Sequence, residues 1–210
     1  MKSLILFTSI TLSLYFGGLN AQTNTKAVQD NWTTYNSKAV YENGTIHLNH
    51  LRNDGEGSAL LWLKDSNFKD GSIELDIRGK DVRGQSFVGL AFHGLDNSHY
   101  DAVYFRPFNF KSPEKKDNAV QYIDSPGNGF YELRKKFPGK YENAVRPVPD
   151  PNDWFHVKIE INGEKVKVYL EGSNEPTLTV EKLNDRSEGM IGLWMDSMDG
   201  WFRNLTVKDR

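Results

Sequence analysis

The sequence predicts an all-β fold, an antiparallel β-sandwich with one long loop insertion. Three observations lead there: about eleven short runs alternate apolar and polar residues, turn residues separate them, and helical periodicity is scarce. Parallel sheets would need crossover helices, which the pattern does not supply. With 210 residues and no cysteine, the fold has to rest on its core. Disulfides, thiolate zinc sites and cysteine nucleophiles are excluded together. The 26 basic and 28 acidic side chains nearly balance, which leaves no electrostatic footprint for nucleic acid or an anionic membrane. Aromatic residues are plentiful: 12 Phe, 9 Tyr and 5 Trp.

The chain opens on a leader pattern. Lys2 supplies a positive start, Leu4 to Tyr15 is an apolar run broken only by Thr and Ser, and the small Ala21 precedes Gln22, as signal peptidase prefers. The run is short for a membrane span, which takes about 20 apolar residues. Residues 1–21 are therefore read as a signal peptide. Residues 22–210 are read as one exported domain, periplasmic or secreted, with no membrane insertion after cleavage and expected to be a monomer. Export without cysteine suits a bacterial envelope, so the sequons at Asn31, Asn43 and Asn204 are read as chance.

Strands are predicted at 45–50, 58–63, 72–78, 86–93, 100–106 and 119–123, then at 155–161, 165–170, 177–180, 190–195 and 202–207. Turn chemistry separates them at Asp70-Gly71, Gly94 to Ser98 and Asp199-Gly200. Asn162-Gly163, between two alternating runs, is the clearest hairpin. The stretches 108–117 and 125–153 resist this reading. They hold Pro113, Pro126, Pro138, Pro147, Pro149 and Pro151, with room for one helical turn at 132–136. So long a loop usually binds something, or else covers a sheet edge. It carries Tyr131, Arg134, Tyr141, Glu142 and Arg146, a set suited to gripping a polar ligand.

Strand parity sorts side chains onto two faces. Gly89, Ala91 and His93 share one parity, Val88, Leu90 and Phe92 the other; small residues beside a histidine suggest a face kept open. Tyr100, Ala102, Tyr104 and Arg106 form a second such set, and Gly192, Trp194 and Asp196 a third. Gln121 and Tyr122 point to opposite faces, so one of them joins this surface. Aromatic rings cover the C–H face of a sugar, and arginine forks a carboxylate or sulfate. A concave polar face for sugar is the expectation. The plainer alternative is amphipathic tyrosine packing and a hydrogen-bonded structural histidine.

Two chemistries compete for that face. Glycosidases need paired carboxylates. Glu74 and Asp76 lie on one parity of 72–78, but Arg78 stands where a third acidic residue of a glucanase-like strand would be. Elimination at a uronic acid instead needs a base for the proton beside the carboxylate, an acid for the leaving oxygen, and cationic or amide groups for the developing charge. His93, Tyr104, Arg106, Gln121, Arg134 and Tyr141 supply that inventory without a metal or cofactor. Phosphate loops, zinc-protease helices and serine-nucleophile elbows are absent from the sequence. The segment Asp196 to Gly200 reads as a hairpin turn or as a structural Ca²⁺ loop.

The motifs Phe68-Lys-Asp-Gly-Ser-Ile-Glu-Leu-Asp-Ile, Ser86-Phe-Val-Gly-Leu-Ala-Phe-His-Gly, Tyr104-Phe-Arg-Pro-Phe-Asn-Phe110, Val120-Gln-Tyr122, Pro138-Gly-Lys-Tyr-Glu142 and Gly192-Leu-Trp194 carry a resemblance. Over roughly Asn31 to Val207 the chain resembles the concanavalin A-like lectin/glucanase sandwiches, close to laminin-G-like domains of bacterial polysaccharide-utilisation loci. It is similar to small exported oligosaccharide dehydratases of marine bacterial ulvan-utilisation systems. That resemblance implies a jelly-roll fold and a carbon–oxygen lyase that removes water from a saturated uronic acid at the non-reducing end. Residue chemistry sets the expected roles: His93 or Tyr104 as base or acid, Arg106 and Arg134 on carboxylate or sulfate, and Tyr100, Asn109, Gln121, Tyr141 and Trp194 on the sugar. The alternatives are a glycoside hydrolase using Glu74, Asp76 or Glu142, and a non-catalytic glycan-binding module.

Overall fold

A computed structural model describes residues 22–24, 29–51, 57–196 and 199–210. The expected signal peptide lies outside them. In chain order the strands are β1 (Gln22–Asn24), β2 (Trp32–Tyr35), β3 (Ser37–Glu42), β4 (Thr45–His50), β5 (Ala59–Leu63), β6 (Gly71–Arg78), β7 (Val88–Gly94) and β8 (Tyr100–Phe105). They continue as β9 (Val120–Ser125), β10 (Glu142–Asn143), β11 (Phe155–Asn162), β12 (Lys165–Leu170), β13 (Leu178–Glu181), β14 (Met190–Met195) and β15 (Asp199–Asp209). One short helix, α1 (Phe130–Lys136), lies between β9 and β10.

The strands form two antiparallel sheets stacked as a jelly-roll sandwich of the concanavalin A-like type. One runs β13-β12-β11-β6-β15-β4-β3, with β1 paired to β15; the other runs β10-β9-β8-β7-β14-β5-β2. Alternation decides which side of the first sheet is dry. Ile73, Leu75 and Ile77 of β6 and Val157, Ile159 and Ile161 of β11 are buried, while the residues between them are half-exposed. Phe105 from the second sheet meets Phe155 from the first with ring centroids 5.3 Å apart, and Phe110 meets the same ring at 5.3 Å. Removing rings of this kind from water contributes about 1.5–3 kcal/mol each.

The hairpin expected at Asn162-Gly163 joins β11 to β12. Asn162 pairs with Lys165, and Gly163 takes the positive φ of 58° that the turn needs. Gly71 begins β6 at φ 138°, where a Cβ would lie 1.9 Å from the Lys208 carbonyl oxygen; no larger residue fits. The proline-rich loop is ordered rather than slack. Asn143 Nδ2 donates to the Thr177 carbonyl at 3.0 Å, Arg146 N donates to Thr177 Oγ1 at 2.9 Å, and Thr177 Oγ1 donates to the Ala144 carbonyl at 2.8 Å. These bonds stitch the loop to the start of β13 and set β10 along the edge of β9.

Candidate active site on the outer face of the seven-stranded sheet

Register places one row of side chains across the second sheet, on the side opposite the other sheet, where Trp194, Tyr104, Gln121 and Glu142 are all buried. Trp194 of β14 lies beside Gly89 of β7, Gly89 beside Tyr104 of β8, Tyr104 beside Gln121 of β9, and Gln121 beside Glu142 of β10. Their neighbours on the opposite parity, such as Val103, Phe105 and Tyr122, face the core. The parity sets read from the sequence therefore meet in space, apart from the histidine.

Four aromatic rings line this face. Tyr104 stacks on Trp194 with centroids 4.6 Å apart, Trp194 Nε1 donates to the Tyr100 hydroxyl at 3.3 Å, and Trp62 meets Tyr100 edge-on at 6.0 Å. Small residues along β7 and β14 were expected to keep the face open. Instead they make room for these rings: a Cβ on Gly192 or Gly94 would lie 2.5 Å from the Trp62 indole. Trp62 escaped the sequence reading, although its parity with Leu60 in β5 was visible. What the sequence could not supply was the register that sets Trp62 beside Gly192.

The polar groups cluster at one end of the row. Arg106 Nη2 donates to the Tyr104 hydroxyl at 2.5 Å and Nη1 to the Asn118 carbonyl at 2.9 Å. The residue is 4% exposed and enters no ion pair among the described residues. Burial lowers its pKa, partly offset by Tyr104 and Glu142. Burial pushes the Tyr104 phenol up to about 12, against the pull of Arg106 and Arg134, so Tyr104 rests as a neutral proton donor. Arg134 is engaged differently. Its Nε donates to both carboxylate oxygens of Glu142 at 2.8 Å, and Nη2 donates to Oε2 at 2.6 Å. Gln121 Nε2 donates to the Tyr122 and Tyr141 carbonyls at 2.9 and 3.0 Å, while its buried Oε1 accepts no hydrogen bond. Asn109 Nδ2 donates to the Asn118 carbonyl at 3.1 Å, beside Arg106.

Two expected residues stand elsewhere. His93 lies at a bulge against Met190–Gly192 and takes φ 48°, which turns its ring off the strand's alternation. Its Nε2 donates to the Lys69 carbonyl at 2.8 Å, and Nδ1 accepts from Lys182 Nζ at 3.2 Å, fully buried. Burial lowers its pKa, partly offset by that carbonyl, and Lys182 lowers it further. Tyr141 packs at the core edge against Tyr122 and Phe137, each 5.7 Å away, and only its carbonyl serves the site, by fixing Gln121. Glu74 and Asp76 face outward on the other sheet, where His156, Arg203, Asn204 and Lys208 hold them.

Among the described residues no group of three or more His, Asp or Glu side chains is placed to hold a metal ion. Ser197 and Met198 of the loop considered for Ca²⁺ lie outside the described residues. No helix among the described residues is long and apolar enough to cross a membrane.

A jelly roll with an aromatic and cationic outer face defines a sandwich of the carbohydrate-active type. The chain belongs to the 3-keto-alpha-glucoside-1,2-lyase-like domain family, whose model matches residues 20–208. Among solved structures it is similar to the carbohydrate-binding module CBM66 from Bacillus subtilis, at TM-score 0.62 and 18% identity, covering 85% of this chain and 96% of that one. It is also similar to a galectin-like-fold protein of unknown function from Bacillus subtilis, at TM-score 0.60 and 16% identity, covering 89% and 98%. A structure described as a native glycosidic hydrolase matches at TM-score 0.57 and 15% identity, covering 90% and 96%. At these identities the likeness is one of fold. No curated protein matches the chain.

Proposed function

We propose that the chain is an exported carbon–oxygen lyase that dehydrates uronic-acid residues of oligosaccharides of the ulvan type. The observation that carries this reading is the buried pair of Tyr104, a neutral phenol, and Arg106, a guanidinium without a carboxylate. Beta-elimination needs that pairing: a cation for the charge that develops beside the carbonyl, and an acid for the departing oxygen. The family's name, 3-keto-alpha-glucoside-1,2-lyase-like domain, supports it by analogy: a 1,2-lyase acting on a 3-ketone removes the proton beside the carbonyl and expels the neighbouring oxygen.

Arg106 holds the substrate carboxylate and stabilises the enolate-like charge. Glu142, fixed by Arg134, removes the proton from the ring carbon beside that carboxylate. The electron pair forms a carbon–carbon double bond, the bond to the neighbouring hydroxyl oxygen breaks, and Tyr104 gives that oxygen a proton, so water leaves. The proton taken by Glu142 returns to the Tyr104 phenolate through solvent. Gln121 Oε1 accepts a sugar hydroxyl, and Tyr100 and Trp194 shape the floor. No metal or other cofactor takes part in this scheme, and the protein acts as a monomer.

Incubation with saturated uronate oligosaccharides tests it. The product should be lighter by one water, uncleaved, and should absorb in the ultraviolet as a conjugated enol ether. No such product across a panel of uronates overturns the reading. A 3-keto-glucoside run in parallel separates the two carbonyls, since elimination there releases the aglycone. One observation favours a second reading: Glu142 is a carboxylate on the sugar face, as a glycoside hydrolase requires. That enzyme would release reducing ends and lose activity in Glu142→Gln. Binding of polysaccharide with no product at all would identify a glycan-binding module.

A further inference from the structure

The polar end of the row opens outward into a cavity of about 240 Å³ whose cations the elimination scheme uses only in part. Arg83 and Lys115 stand exposed at its rim, Arg106 and Arg134 line its inner side, and Phe108 and Phe130 form apolar walls. No acidic side chain lines it. Glu142 neutralises Arg134 from behind, which leaves Arg83, Lys115 and Arg106 without a carboxylate among the described residues. The rings are part of the arrangement. The Arg106 and Arg134 guanidiniums lie 5.6 and 5.3 Å from the centre of the same Phe130 ring, so two like charges share one aromatic side chain.

Elsewhere this protein pairs a half-buried arginine. Arg186 Nη2 reaches Asp124 at 2.5 Å and Asp101 at 3.3 Å, both buried carboxylates. A desolvated guanidinium without such a partner is unfavourable, and an incoming anion removes the deficit. Guanidinium forks suit planar or tetrahedral oxyanions, while a lysine adds charge without fixing direction. Three phenyl rings within reach, counting Phe87, limit hydration of the bound group and can cover sugar C–H faces.

We propose that this cavity is an oxyanion subsite, binding a sulfate ester or a second carboxylate on the sugar that adjoins the reacting uronate. The proposal rests on the reading that the outer face handles anionic sugars, and it adds the substrate class: oligosaccharides with charge on two neighbouring residues. Arg83 and Lys115 supply the discrimination, because Arg106 also serves the reacting carboxylate.

The test uses the mature protein and the double variant Arg83→Gln/Lys115→Gln; both positions are exposed, so the variant should fold. Inorganic sulfate is the first probe, read by calorimetry. The natural protein should bind it and the variant should bind it roughly 10- to 100-fold more weakly, as the loss of charge-assisted hydrogen bonds implies. Matched uronate oligosaccharides follow: one sulfated on the neighbouring sugar, one desulfated, and one carrying a neighbouring carboxylate reduced to the alcohol. The variant should lose affinity for whichever oxyanion the cavity takes and bind its uncharged match as before, which also identifies the oxyanion. Equal treatment of charged and uncharged partners by both proteins overturns the subsite. The two readings fail separately. Sulfate binding lost in the variant, without elimination by the natural protein, sustains the subsite and removes the lyase. Elimination indifferent to neighbouring charge does the reverse.

Discussion

The two outer faces of the sandwich are built on opposite rules. On the eight-stranded sheet every charge described above has a partner. Asp76 alone receives His156 Nδ1 at 2.9 Å, Arg203 Nε at 3.1 Å and Asn204 Nδ2 at 2.8 Å. Across the same face, His47 stacks on Trp201 at 4.6 Å, and Arg78 sits 4.6 Å from Trp201 and 5.1 Å from Trp154. Both faces of such a ladder are occupied by the protein itself. On the seven-stranded sheet the corresponding surface holds rings, glycines, a buried guanidinium without a carboxylate and an amide oxygen without a donor. The first face pairs its charges within the protein, though His47 Nε2 accepts and donates no hydrogen bond there; the second carries the unpaired groups on which the proposed ligand site rests.

This contrast can be broken at several points. Tyr104→Phe should reduce elimination roughly 10²–10⁴-fold by deleting the acid, and should cost about 1–3 kcal/mol of stability because Arg106 Nη2 loses its buried acceptor; single-turnover assays and denaturant midpoints check the two halves. Gly192→Ala should destabilise by about 1–3 kcal/mol, since its Cβ must push the Trp62 indole aside; the urea midpoint and tryptophan fluorescence report it. Arg106→Met should abolish elimination yet raise stability by about 0.5–2 kcal/mol, as happens when a strained site is relieved. A clear loss of stability would mean that its bonds to Tyr104 and Asn118 outweigh its missing carboxylate. Asp76→Asn should do the opposite, losing about 1 kcal/mol of stability with no change in activity.

The smallest effect concerns pH. The fold holds the His93 pKa below its ordinary value of about 6.5, so the unfolded chain takes up the proton first as pH falls. Its contribution to stability is complete above about pH 6.5 and is lost as pH falls from there through the lower folded value. Denaturant midpoints measured across that range should decline on the acid side, and less so in His93→Gln. Asp76 gives a second acid limb. Burial raises its pKa, but hydrogen bonds from His156, Asn204 and Arg203 outweigh this and leave it lowered. Its contribution is present above the ordinary carboxylate range and is lost as pH falls through the folded value.

The long strands were legible because one dry face imposes strict alternation, as in β6, β11 and β12. β2 and β3 were not, because Asn36 turns the chain at φ 48° between two runs with weak apolar contrast. β10 has two residues, and no pattern of period two can be read in so short a piece. Parity grouped Tyr100 with Tyr104 in one strand and Gly192 with Trp194 in another, and register then joins the two sets through Gly89. It misplaced His93, since a bulge is a backbone event that side-chain identity does not encode. Arg134 is expected to bind substrate, but its bidentate hold on Glu142 depends on the chain between α1 and β10, residues 137–141, folding back. Pairing across a loop is tertiary information.

The short β10 has a consequence for the whole molecule. A sheet edge with free amides and carbonyls invites a second chain to add a strand. Here β10 spans two residues, and β2 and β13 span four each. Pro147, Pro149 and Pro151 follow β10, and Pro176 comes just before β13. Three of the four sheet edges thus offer an approaching chain too little backbone to grip. A cysteine-free chain has no covalent staples to hold it against such pairing. The strand that carries Glu142 is also too short to let neighbouring copies pair edge to edge.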